Sequence, residues 1–257
     1  MSQYLFSEFR DNDFQELTQI LCSVFDTNQE ELRSLYDSLR STFNAPEYPK
    51  HPLVNRNFFK SHDKLFQKLY DQSPAVGVDL PSLIEEDNGI SDKPVIAVIG
   101  QDPMRHESSD GITIGTPYAF HEKGCRENLF TTKLYFDFIK VLFELGYRVY
   151  LTDIYKVWVC ALSRLYQGVK LSREDRNIFL KILKHELEFI QPTVMITWGK
   201  PSGNTIRQMK LGIRQIEFPH PSGAANHAWR ELMGKPATQN NKIEFWRLKI
   251  IQELSKA

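Results

Sequence analysis

Val95-Ile96-Ala97-Val98-Ile99-Gly100-Gln101-Asp102-Pro103 is the stretch on which the reading of the fold turns. Its five leading apolar residues are mostly β-branched and predict a strand buried on both faces, the pattern of a parallel sheet covered by helices. Gly100 and Pro103 break the strand and leave Gln101 and Asp102 in the loop that follows. Open α/β sheets bind ligands at that carboxyl end. An acid there, beside backbone N–H groups freed by the turn, is placed for chemistry on a small polar group.

The alternation continues downstream. Strands are predicted at Val95–Ile99, Arg148–Thr152, Thr193–Trp198 and Ile213–Phe218, with helices near Asn128–Leu145, Arg173–Phe189, Ser202–Met209 and Asn240–Leu254. The pattern predicts an α/β fold: three layers, α/β/α, around a central, mostly parallel four-stranded sheet. Upstream, Phe14, Leu17, Leu21 and Phe25, then Leu32, Leu35 and Leu39, recur at helical spacing and predict two amphipathic helices divided near Asp26-Thr27-Asn28. Phe58–Leu69 reads as a shorter helix, and Ser73–Lys93, rich in Pro, Gly, Asp and Ser, as a linker or surface loop. The expected organisation is a helical extension over residues 1–90 and an α/β domain over 91–257, packed as one compact unit.

At 257 residues and 41% hydrophobic, the chain can bury a full core. No apolar run reaches the length of a membrane span, and the polar, acidic start does not read as a signal peptide. Cys22, Cys125 and Cys160 are widely spaced and contain no C-x-x-C, which argues against a disulfide framework and against a zinc or iron–sulfur site. A reducing compartment is expected, the cytoplasm (nucleoid-associated) or the nucleus. The zero net charge hides an asymmetry: residues 1–90 carry 8 Lys/Arg against 15 Asp/Glu, and residues 91–257 carry 24 against 17. The basic portion suits a polyanionic partner.

Residues just after each predicted strand share one sheet edge: Gln101-Asp102, Asp153, Gly199-Lys200 and Pro219-His220-Pro221-Ser222. Singly, each has a plain structural role. Asp102 can close a turn, Asp153 can cap a helix, and His220 can be a satisfied core histidine. Their convergence on one edge favours a site.

Gly100-Gln101-Asp102-Pro103 resembles the water-activating motif of the uracil-DNA glycosylase superfamily, and His220-Pro221-Ser222 resembles its second signature. Tyr147–Asp153 is similar to the strand that ends in the family's base-reading Asn, and Val194–Gly199 to its Trp-Gly strand. The similarity spans roughly residues 94–230. It implies a base-excision enzyme that flips a nucleotide into a pocket and cleaves its N-glycosidic bond. Asp102 would then stabilise the oxocarbenium-like sugar and orient water, while His220, with the N–H of Gln101, would donate to the departing base's O2. Ser222, Gly223 and Lys200 would hold phosphates, with Arg105, His106, His121 and Arg126 as further candidates. The resemblance implies DNA, single- or double-stranded, as partner, a monomeric enzyme, and no metal or organic cofactor.

Departures from the family pattern fall on the base-reading positions. Met104 stands where the family has a Tyr that blocks the thymine methyl, and a flexible thioether is a poorer wall. The ring that stacks on uracil aligns near Ile114, with Tyr118 or Phe120 as substitutes. Asp153 replaces the Asn. Ionised, it only accepts and repels uracil O4, favouring a base edge with an amine; protonated, it regains a donor. After His-Pro-Ser there is no large apolar wedge at the family's position, and Trp229 either inserts or is buried at a helix start. The alternatives are a non-catalytic nucleic-acid-binding member of the fold and a nucleoside- or nucleotide-directed enzyme.

Overall fold

In the computed structural model, which describes residues 4–45, 51–90, 92–105, 109–128, 130–162 and 167–256, every position of Val95–Gly100 is buried. The described strands are β1 (Tyr4–Phe6), β2 (Leu53–Val54), β3 (Val76–Asp79), β4 (Ser82–Glu86), β5 (Val95–Gly100), β6 (Ile112–Gly115), β7 (Arg148–Asp153), β8 (Val157–Val159), β9 (Val194–Trp198) and β10 (Gln215–Phe218). The α-helices are α1 (Asp11–Cys22), α2 (Gln29–Phe43), α3 (Lys64–Gln72), α4 (Lys123–Glu127), α5 (Phe130–Glu144), α6 (Arg173–Ile190), α7 (Lys200–Met209), α8 (Asn226–Met233) and α9 (Gln239–Leu254).

The chain is mixed α/β. Its larger sheet has six strands in the order β1-β4-β7-β5-β9-β10. Strand β5 pairs in parallel with β7 and β9, and β9 with β10, whereas β4 and β1 join antiparallel beyond β7. The sheet is therefore mixed and six-stranded. Alternation along β5 sends Ile96 and Val98 into one apolar cluster with Val149, Ile196, Phe138 and Trp246. Val95, Ala97 and Ile99 join another with Tyr150, Met195, Leu183 and Leu187. Both faces of β5 are thus packed in apolar side chains, which is why this strand lacks polar positions.

Residues 1–90 depart from the helical extension expected of them. Their helices are present, and Asn28 starts α2 with a reciprocal capping box to Glu31. The same region also supplies β1 and β4 to the main sheet and β2 and β3 to a second one, ordered β2-β6-β3-β8. Ser73–Lys93, read as a linker, holds the fully buried β3 and all of β4, whose first three residues are buried. Its Pro and Gly residues misled the sequence reading. Pro74 and Pro81 precede strands, where no ladder N–H is needed, and Gly77 marks a close backbone approach. A Cβ at Gly77 would lie 2.5 Å from Arg105 Cγ and 2.6 Å from the Pro103 carbonyl, so the bare strand is what lets the 101–105 loop settle on the small sheet.

The N-terminal residues are also tied to α6. Asp175, 1% exposed, accepts from the Ser61 hydroxyl at 2.5 Å, the His62 backbone N–H at 3.1 Å and the Ser172 hydroxyl at 2.8 Å. Tyr36 of α2 donates to the Pro81 carbonyl at 2.7 Å. Among the described residues no helix is long and apolar enough to cross a membrane. Asp175→Ala removes the acceptor of the part-buried His62 N–H and the Ser172 hydroxyl and leaves the Ser61 hydroxyl only the Asp63 carbonyl, so urea unfolding should show a loss of about 1–3 kcal/mol. Faster amide exchange should be concentrated around residues 59–72.

Candidate active site at the carboxyl end of the central strand

From β5 the chain turns toward β7 on one side, and from β9 toward β10 on the other. The crevice between the carboxyl ends of β5 and β9 is therefore a topological switch point, where open α/β sheets bind ligands. A cavity of about 500 Å³ opens there. Gln101 and Asp102 line it from β5, Pro201 and Thr205 from α7, and Tyr155 and Trp158 from the segment after β7. Lys170 and Arg176 add positive charge to its wall.

Asp102 is held by its neighbour, since Gln101 Nε2 donates to Asp102 Oδ2 at 2.9 Å. Burial pushes its carboxyl above the ordinary range, the Gln101 hydrogen bond partly offsets this, and Asp79 adds to the rise. Backbone bonds lock the two loops together: Ile154 N–H donates to the Gly100 carbonyl at 3.1 Å and Tyr155 N–H to the Gln101 carbonyl at 3.0 Å. Met104 also lines the cavity and is 46% exposed, so an exposed thioether forms that part of the wall.

Asp153 ends β7 in register with Gly100. A Cβ at Gly100 would fall 2.1 Å from Asp153 Oδ1 and 2.8 Å from the Tyr118 hydroxyl, so glycine alone fits between them. Burial raises the Asp153 carboxyl well above its usual range; Asp79 and Asp102 reinforce this against the opposing Lys156 and Arg105. The shift is toward the neutral, protonated carboxyl. Lys156, itself buried, donates to the Asp153 carbonyl at 2.5 Å and to Thr152 Oγ1 at 2.6 Å, and pairs with buried Glu186 at 3.1 Å.

His220 does not line the cavity. Its ring lies 6.3 Å from that of Tyr118 and 5.6 Å from that of Tyr135. The Ser222 backbone N–H donates to His220 Nδ1 at 3.2 Å, with Ser222 Oγ 2.9 Å from the same nitrogen. Burial, helped by the Lys242 charge, lowers the imidazole to about 4. A neutral ring whose Nδ1 accepts must carry its proton on Nε2, which makes it an uncharged donor. The loop is fastened from beneath: Trp229 Nε1 donates to the His220 carbonyl at 2.9 Å and Lys242 Nζ to the Pro221 carbonyl at 3.0 Å. Trp229 is fully buried and is no wedge.

Several sequence expectations are corrected. Ile114 is fully buried in β6 within the main apolar cluster, away from the cavity, because the small sheet turns it inward. Phe120 is equally buried and packs edge-on to Phe136. Tyr118 is the ring near the site, with its hydroxyl over Gly100 and its ring 4.9 Å from Trp198. His121 and Arg126 are buried rather than presented to phosphates; Arg126 bonds the Phe120 and Phe43 carbonyls. Arg105 is paired with buried Asp79. His106 lies outside the described residues. Lys200, at the start of α7, and Gly223 are exposed, while the Ser222 hydroxyl is engaged by His220.

Sequence reading missed Glu186 and Lys242, although spacing carries a signal for both. Glu186 shares the buried face of α6 with Phe179, Ile182 and Leu183, and Lys242 that of α9 with Trp246 and Ile250. It also found no metal-ligand cluster, whereas His51, His121 and Glu122 bring ligand atoms within 4.8 Å of one another away from this cavity. No family model matches the sequence, and no curated protein matches it.

A His220 imidazole lowered to about 4 binds fewer protons than the unfolded chain between about 4 and 6.5. It therefore weakens the fold as pH falls through that window. The stability difference between wild type and His220→Asn, from urea unfolding, should shift in favour of the variant on going from pH 7 to pH about 4.5.

Proposed function

We propose that the chain is a monofunctional DNA glycosylase that hydrolyses the N-glycosidic bond of a flipped uracil or related base, as its motif resemblance implies. The observation that carries this reading is Asp102, an acid at the switch point between β5 and β9; the cavity of about 500 Å³ that it lines includes neither His220 nor Asp153. Scission leaves positive charge on the sugar and negative charge on the base. Ionised Asp102 stabilises the first and orients water; neutral His220 donates from Nε2 to the base's O2. Protonated Asp153 supplies an O–H toward uracil O4 and an acceptor for N3–H, so an acid serves where the family has an amide. Met104 leaves room for a substituent at C5. Exposed Lys200 and the backbone at Ser222 and Gly223 suit phosphates.

A three-layer α/β/α arrangement, DNA as partner in single- or double-stranded form, a monomeric state and a cytoplasmic (nucleoid-associated) or nuclear location belong to the same proposal. A second reading, binding without excision, draws support from Tyr118. Its hydroxyl end lies beside Asp153 and its ring near His220, so it occupies space that a flipped base needs between those groups. On that reading oligonucleotides bind with salt-sensitive affinity and no base is released.

An abasic-site assay over oligonucleotides carrying uracil, 5-substituted uracils, hypoxanthine, xanthine and cytosine separates the two readings. Asp102→Asn should cut excision roughly 100- to 10,000-fold; excision that survives this change sinks the mechanism. Raising the pH ionises Asp153 and removes its donor, so wild-type uracil excision should decline at alkaline pH. Asp153→Asn, with a permanent amide, should hold its rate there.

A further inference from the structure

His121 and Glu122 close the loop that leaves β6, and His51 reaches them from the N-terminal portion of the chain. His51 Nδ1 lies 3.2 Å from His121 Nε2, which lies 3.7 Å from Glu122 Oε1. His51 Nε2 is 3.1 Å from the same carboxylate oxygen. One ligand atom from each residue falls within 4.8 Å of the other two. Ligands 2.0–2.1 Å from a tetrahedral zinc stand about 3.3 Å apart; His51 meets His121 through Nδ1 and Glu122 through Nε2, so a turn of its partly exposed ring is what brings one nitrogen to that spacing from both. Two imidazoles and a carboxylate are also a donor set that zinc takes where a fourth position is left to water.

The surroundings have the form of a metal site's outer shell. His121 Nδ1 is 3.1 Å from Thr116 Oγ1, which leaves Nε2 facing the cluster, and Cys125 donates to Glu122 Oε2 at 3.1 Å. His121 is 1% exposed and Glu122 6%, so the carboxylate has little water to stabilise its charge. Arg105, the nearby guanidinium, is committed to Asp79, and Arg126 to two backbone carbonyls.

We infer that His51, His121 and Glu122 bind a divalent transition metal, zinc by preference, as a clamp between the N-terminal portion and the loop that carries Tyr118. The clamp has work to do in that loop. Tyr118 and Ala119 both adopt left-handed backbone, at φ 62° and 54°, which side-chain-bearing residues hold only when their surroundings fix them. An ion bound at the end of the loop fixes it without touching the cavity.

The test uses the full chain stripped of metal, titrated with Zn²⁺ against a chromophoric chelator and, separately, with Co²⁺ followed by visible absorption. The expected result is one equivalent of Zn²⁺ bound with a rise in Tm, and Co²⁺ ligand-field bands of the intensity of a four- or five-coordinate site. Thr116→Val should weaken Zn²⁺ binding roughly 10- to 100-fold, as loss of an outer-shell partner does. His51→Ala, at a partly exposed position, and Glu122→Gln should weaken it more. Absence of stoichiometric Zn²⁺ binding and of Co²⁺ bands in the wild-type protein would overturn the inference, leaving a hydrogen-bonded cluster. Affinity unchanged in both His51→Ala and Glu122→Gln would overturn it equally. None of these readouts depends on base excision, so the metal site and the glycosylase reading stand or fall separately.

Discussion

The register of β5 against β7, which sets Gly100 opposite Asp153, is the constraint on which the rest of the site depends. It brings a carboxyl oxygen to within 2.1 Å of where a side chain on Gly100 would begin. That closeness removes water from Asp153 and so favours its neutral form. The same pairing delivers the loops after β5 and β7 side by side, where two backbone hydrogen bonds join them. Asp102 then emerges beside the crevice toward β9 from a loop fixed by backbone bonds, with its carboxylate held by the Gln101 side chain. A slip of one residue would turn each of these groups to the opposite face.

Around that constraint the chain spends buried charges on geometry. Lys156 and Glu186 are removed from water together, an arrangement that adds little net stability but is costly to break. Its effect here is positional, because Lys156 also grips Thr152 and the Asp153 carbonyl at the end of β7. Lys242 and Trp229 do the corresponding job for the 220–222 loop by holding its carbonyls. With those carbonyls turned inward, the Ser222 N–H faces His220 Nδ1 and settles which ring nitrogen carries the proton. The N-terminal residues belong to the same framework. They supply β1 through β4 and reach α6 through Ser61 and His62.

Legibility in the sequence followed from how local each signal was. Strands β5, β7, β9 and β10 and most of the long helices were readable because their apolar periodicity is written in consecutive residues, whereas the short β6 and β8 were not. Gln101 and Asp102 were readable as cavity residues because they follow directly from the end of one strand, and Met104 because the motif resemblance marks its position. Ser73–Lys93 was misread because Pro and Gly at strand starts and at a close approach look the same as Pro and Gly in a loop. Ile114 was misplaced because its side depends on the pairing of β6 with β2 and β3, which local sequence does not encode. The His51, His121 and Glu122 group was invisible because His51 stands 70 residues from His121.

By itself, then, the sequence determined that a buried parallel strand ends in an acid, and that later strands end in Asp153 and near His220. Periodicity and breakers are enough for that, since burial of alternate or successive residues is a local property of the chain. Only the tertiary structure decided that the Asp153 carboxyl is pushed toward its neutral form, that His220 is an uncharged Nε2 donor, and that Tyr118 rather than Ile114 stands beside them. Protonation and access depend on what surrounds a group in three dimensions. Burial by distant segments raises or lowers a pKa, and the partner of one ring nitrogen fixes the state of the other.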